Sequence, residues 1–269
     1  MWKQLAFDKK FDDIVQQLIA SNTASYNIAT RQLEFTQKPS YNIPWIFFTV
    51  SNTGRQCLTW SKYFKHFGLI PFWCRMHCWK VVCRPRTVWE LKRFYDVMMA
   101  LPWLYPQYIQ PLTGKCGLDV RDYTSSAYGG FLYANSESHA YEILGIAQSV
   151  IIDNMENESI NGEKFSDTLI VKRGCTEMEA NCPTDSEKWL NYTSEDHLTE
   201  TRLNSIFETV AYPSTLPDWH KNRIFYGWVK HAVMIGDKTA KWLGERLGDL
   251  SVHAETYLPQ QEETLKKEN

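Results

Sequence analysis

The segment His77-Cys78-Trp79-Lys80-Val81-Val82-Cys83-Arg84-Pro85-Arg86-Thr87-Val88-Trp89-Glu90-Leu91 carries the clearest structural signals in the chain. Its first half has a period of two. Trp79, Val81 and Cys83 fall on one side of an extended backbone and Cys78, Lys80 and Val82 on the other, which predicts a strand over residues 77–84. Pro85 has no amide hydrogen to continue a ladder and ends it. Thr87 and Glu90, three residues apart, are the two halves of a capping box, and Val88, Leu91, Tyr95 and Met98 then recur at helical spacing. A helix over residues 88–101 follows.

Downstream, a Pro-rich connector over 102–114 leads to a strand at 116–123, a Ser125-Ser126 turn and a second strand at 128–134, which together read as a hairpin. Ser136 or Ser138 caps a helix whose Ala140, Ile143, Leu144, Ala147, Val150 and Ile151 share one face, and after a polar loop containing Gly162 a last strand is predicted at 167–172. The resulting order is βαββαβ, the ferredoxin-like pattern.

Upstream, Phe11, Ile14, Val15, Leu18 and Ile19 form an amphipathic helix opened by Asp8 and stopped at Asn22. Tyr26, Ile28 and Leu33 alternate loosely, 43–50 is strand-like before the Asn52-Thr53-Gly54 turn, and Trp60, Tyr63, Phe64 and Phe67 stripe a short helix closed by Gly68. Beyond the core, Leu203, Ile206, Phe207 and Val210 mark one helix and 218–247 a long second one. In the latter, Trp228, Ile235 and Trp242 recur near a 3.5-residue spacing and are expected to pack on the domain. The expectation is an α+β protein: an N-terminal helix/strand elaboration (1–72), a ferredoxin-like core (73–175), a helical C-terminal segment (176–250) and a disordered tail (251–269) with too little apolar surface to order itself.

Eleven Trp, 14 Tyr and 13 Phe predict a large aromatic core with a few rings left over as platforms. No run approaches the roughly 18 apolar residues of a membrane helix, and the first ten residues lack the apolar centre of an export signal. Seven cysteines, an odd number, then point to reduced thiols in the cytoplasm, with no membrane partner. The net charge of −2 conceals two opposed stretches. Residues 55–122 hold eleven lysines and arginines against four acids, whereas over 135–208 acids exceed bases by ten.

The run Tyr128-Gly129-Gly130-Phe131-Leu132-Tyr133-Ala134-Asn135, with a helix opening at Ser136, resembles the third strand and following helix of the RNA-recognition-motif family. The resemblance covers about residues 77–173. Gly130 and Phe131 match the family signature and Leu132 is a conservative replacement, while Gly129 and Ala134 stand where its first and last aromatics belong. The resemblance implies a sheet covered by helices on one side, with Phe131 and Tyr133 on the other side stacking the bases of single-stranded RNA or DNA. Lys80, Arg84, Arg86, Lys92, Lys115 and Arg121 are the candidates for phosphate contacts. A basic surface also suits an acidic protein, so other proteins are expected partners as well.

Cys74, His77, Cys78 and Cys83 crowd together, but His77 and Cys78 point to opposite sides of one strand and no second Cys-x-x-Cys pair completes a ligand set, so no metal or other cofactor is expected. Asp119 and Asp122, with Glu177 or Glu179, would be the carboxylates of a palm-type phosphoryl-transfer enzyme. Three residues apart on a strand, the two aspartates face opposite ways. Phosphate loops, nucleophile elbows and zinc-helix motifs are absent, and His139, His220 and His231 have no evident catalytic partner. The leading expectation is single-stranded nucleic-acid binding without catalysis. A structural or assembly protein is the alternative, and a palm-type enzyme the third reading.

Overall fold

The computed structural model describes residues 9–36, 44–49, 70–104, 113–121, 124–155, 162, 164–175, 178, 193–206 and 216–247. In chain order the elements are α1 (Lys9–Ala20), β1 (Ala24–Asn27), β2 (Gln32–Phe35), β3 (Trp45–Thr49), α2 (Phe72–Met76), β4 (Trp79–Cys83), α3 (Val88–Leu104), β5 (Gly114–Leu118), β6 (Tyr128–Ala134), α4 (Glu137–Met155), a 3-10 turn (Phe165–Thr168), β7 (Ile170–Arg173), α5 (Ser194–Ile206), α6 (Asp218–Met234) and α7 (Ala240–Leu247). Among the described residues, no helix is long and apolar enough to cross a membrane.

The protein is mixed α+β around a five-stranded sheet of order β3-β5-β6-β4-β7, with every neighbouring pair antiparallel. One face is the core. Val81, Cys83, Cys116, Leu118, Leu132 and Ala134, with Ile46 and Phe48 of β3, are buried against Leu91, Phe94 and Met98 of α3 and Ile143, Ala147 and Val150 of α4. Ile224, Trp228 and Ala232 of α6 and Leu243 of α7 belong to the same cluster, so these two helices share the core of the sheet. A second, smaller cluster joins Phe11, Ile14, Val15 and Leu18 of α1 to Ala24, Leu33 and Leu203.

The capping box forms in modified form. The Glu90 amide donates to Thr87 Oγ1 at 3.1 Å, but the Glu90 carboxylate accepts the backbone N–H of Arg86 at 2.7 Å and pairs with the Arg86 guanidinium. A remote group completes the cap: Asp237 Oδ2 accepts the Val88 N–H at 2.7 Å. The start of α2 is closed in the same way, by Glu200, which accepts the N–H groups of Phe72 at 2.5 Å and Trp73 at 3.2 Å. Carboxylates favour these positions because the first amides of a helix are unpaired and its N-terminal end is partly positive.

Several boundaries differ from the sequence expectation, each for a local reason. The loose alternation around Tyr26–Leu33 is a hairpin, β1–β2, turned by Asn27 Oδ1 accepting the N–H of Ala29 at 2.9 Å and by Arg31 at φ 56. The stretch 218–247 is two helices, because Gly236 at φ +77 ends α6 and Asp237 restarts the chain by accepting the Thr239 N–H at 2.9 Å. The stripe through Trp228, Ile235 and Trp242 is therefore divided: Trp228 is buried, whereas Ile235 at the end of α6 and Trp242 on α7 are exposed. Helix α3 runs past Pro102 to Leu104, and β5 is shorter than 116–123, leaving Asp119 just beyond its end. The expected turn at 52–54, the helix around 60–68, Phe207, Val210 and the tail lie outside the described residues.

Candidate nucleic-acid interface

Because strand side chains alternate, the register identifies which residues share the face turned away from α3 and α4. Three rows cross it. Lys172, Lys80 and Tyr133 lie side by side, Ile170, Val82, Phe131, Lys115 and Phe47 form the second row, and Gly129, Gly117 and Trp45 the third. The Lys115 ammonium lies 4.5 Å from the Trp45 ring centroid, 5.6 Å from Phe131 and 6.0 Å from Phe47. Lys80 Nζ is 5.5 Å from the Phe131 centroid, and the Trp45 and Phe131 rings are 5.5 Å apart at 47°. Each ammonium over a ring contributes roughly 0.5–1 kcal/mol, so these contacts position the positive charges rather than fix them rigidly.

The Gly129-Gly130 pair now has a physical account. A Cβ on Gly130 would stand 2.5 Å from Phe94 Cε1, so a side chain there collides with α3. On the opposite face, a Cβ on Gly129 would meet the Trp45 indole at 3.3 Å. In the row shared with Gly117, an aromatic residue of the edge strand thus lies against the bare backbone of a central one. Gly117 itself is demanded by the Pro44 carbonyl oxygen, 2.0 Å from where its Cβ would be.

The eight residues singled out in the sequence separate into groups. Phe131, Tyr133, Lys80 and Lys115 come together on this face. Phe131 is only 6% exposed, its ring occupied by Trp45 and two ammonium groups, and Lys80 is 4% exposed; Tyr133 and Lys115 are half-buried. Arg84 is exposed just past β4. Arg86 is committed to Glu90 at the start of α3, and Lys92 to Asp96 at 2.7 Å, lying over the rings of Tyr95 and Phe225. Arg121 makes two 2.6 Å bonds to the carboxylate of Asp119. The structure therefore does not bring Arg86 and Lys92, which belong to the start and body of α3, to the rings of this sheet face. Trp45, Phe47 and Lys172 were not singled out in the sequence: residues 43–50 read as a strand, but nothing local says which strand they pair with.

Asp119, the first palm-type carboxylate, is buried and neutralised by Arg121; Asp122, Glu177 and Glu179 lie outside the described residues. Among the described residues no group of three His, Cys, Asp or Glu side chains is arranged to hold a metal ion. Cys74, Cys78 and Cys175 gather instead with Ile70 and Met178 in a third apolar cluster. The Cys175 thiol hydrogen-bonds to Cys78 and would lower its pKa, but the bond to Cys74 and burial outweigh it and push the Cys78 thiol up to about 12. Cys83 and Cys116 lie on the helix-covered face, where burial raises both well above the usual thiol range. His77 Nδ1 is 3.3 Å from the Asn135 carbonyl and His139 Nδ1 3.0 Å from its side-chain oxygen, which gives both rings structural partners.

Compared with known proteins, the chain matches no family model, no curated protein and no solved structure.

Proposed function

We propose that this protein binds single-stranded nucleic acid, without sequence readout and without catalysis, on the sheet face turned away from α3 and α4. The observation that carries the reading is the adjacency of Trp45, Phe47 and Tyr133 to Lys115 and Lys172 in neighbouring rows. Rings stack on any base, at roughly 1–3 kcal/mol each, and ammonium groups meet phosphates of any sequence. In this reading Phe131 supports the ammonium groups, while Trp45, Phe47 and Tyr133 provide stacking surface and Arg84 extends the phosphate contacts.

Residues 79–173 are proposed as a ferredoxin-like core. The order β7-β4-β6-β5 and the two helices on one face support this, with β3 added beside β5. The free thiols of Cys74, Cys78, Cys83, Cys116 and Cys175 support a reducing, cytoplasmic setting. The test is fluorescence anisotropy with labelled single-stranded DNA and RNA at low ionic strength: binding that weakens with salt is expected, and no change in anisotropy for either strand refutes the reading.

A further inference from the structure

Helix α6 is anchored by one side only. Ile224, Trp228 and Ala232 are buried, and the Trp228 indole N–H donates to the Pro44 carbonyl at 2.8 Å. The other side is not the polar surface expected of a solvent-facing helix. Trp219, Tyr226 and Val233 are 66%, 63% and 64% exposed, and their seven-residue spacing aligns them along one stripe, continued by exposed Met234. Arg223 and Lys230, each four residues after an aromatic of the stripe, are exposed beside it and have no ion-pair partner among the described residues.

We propose that this stripe is a docking face for an amphipathic α-helix of an acidic protein partner, with apolar residues at heptad positions and carboxylates flanking them. Three features on the helix select that occupant. Seven-residue spacing of large apolar groups matches a second helix lying alongside, whose knobs enter the gaps between them. Arg223 and Lys230 occupy the flanking positions where a partner's Glu or Asp pairs, so charge is complementary to an acidic helix. Antiparallel pairing of two copies through this stripe would bring their own cations together, which disfavours self-association. A nucleic-acid strand would find π-faces at Trp219 and Tyr226 but only aliphatic carbon at Val233 and Met234, so it could not use the whole length of the stripe, which an apolar helix face can. The inference does not depend on the sheet-face reading.

The test uses the full chain and two labelled synthetic helices of about four heptads with Leu at the a and d positions, one with Glu and the other with Lys at e and g. Anisotropy is expected to show the Glu helix binding at least about tenfold more tightly than the Lys helix. Tyr226→Glu and Val233→Glu, both at exposed positions, are expected to weaken Glu-helix binding about tenfold or more while leaving the circular dichroism spectrum unchanged. The double change Arg223→Glu and Lys230→Glu should reverse the preference toward the Lys helix. Equal binding of the two helices, no binding of either, or failure of the double change to reverse the preference overturns the proposal. Loss of oligonucleotide or anionic-vesicle binding in Tyr226→Glu, with Glu-helix binding intact, overturns it in favour of those partners.

Discussion

Replacing Lys115 by alanine is expected to change the salt dependence of nucleic-acid binding by a calculable amount. The sheet face and its margin offer three cations with exposed or half-buried side chains, Arg84, Lys115 and Lys172. For single strands, log K falls with log salt by about 0.7 per neutralised phosphate, so three contacts give a slope near −2. Between about 50 and 200 mM salt that is roughly a twentyfold loss of affinity. Lys115→Ala should leave two contacts, a slope near −1.4 and a loss of about sevenfold over the same range. Trp45→Ala removes a stacking ring, expected to weaken binding by roughly 1–3 kcal/mol without altering the slope. Lys92→Gln, whose ammonium is already paired with Asp96 on α3, should alter neither. Anisotropy titrations of a labelled oligothymidine against each variant, at four or more salt concentrations, measure all of these. If Lys115→Ala keeps the wild-type slope, or Trp45→Ala binds as tightly as wild type, the face does not contact nucleic acid.

Gly130→Ala drives a methyl group toward Phe94 and should destabilise the fold by about 1–3 kcal/mol in urea titrations followed by circular dichroism, with Gly145→Ala, which meets open space, as the neutral or stabilising control. Asp237→Ala strips the acceptor from the Val88 amide and the Tyr128 hydroxyl, a loss of about 2–4 kcal/mol at neutral pH. Burial alone would raise the Asp237 pKa, but hydrogen bonds from Val88, Thr239 and Tyr128 outweigh it and hold it low. The stabilisation is therefore full above the unfolded carboxyl pKa of about 3.9 and is lost as pH falls through the folded value, so the gap between wild type and variant should narrow in acid. Cys83 and Cys116, buried and held protonated, should resist iodoacetamide in the native protein and react once denatured, as peptide mass mapping would show.

The parts of the fold legible in the sequence are those whose causes are local. Thr87 and Glu90 announce the start of α3, Ser136 caps α4 through the His139 amide, and the alternation in β4 and β6 survives pairing intact. What escaped notice depends on residues far apart in the chain. α2 is five residues long and is capped by Glu200, 128 positions away, so no window around it contains its cause. Trp45 reaches Gly129 only because β3 pairs with β5, a pairing extended by the Pro44 carbonyl, which accepts from Leu118 at 3.3 Å and from Trp228. The basic stretch was visible as composition, but whether each cation faces the rings or a nearby acid follows from helix phase. Arg86 and Glu90, four apart, could have been paired in advance.

Asp237 and Glu200 bear on any attempt to trim this protein for spectroscopy or crystallisation. A minimal fragment spanning residues 73–175 retains all four βαββαβ strands and both their helices, yet it drops β3, cuts α2 after its first residue and omits Asp237, the acceptor for the Val88 amide at the start of α3. An excised module of that kind would leave the Val88 amide at the start of α3 and the Tyr128 hydroxyl without their carboxylate. Helices α6 and α7, with Asp237 between them, thus act as a clasp on the sheet, and useful truncations are those that keep the chain through α7.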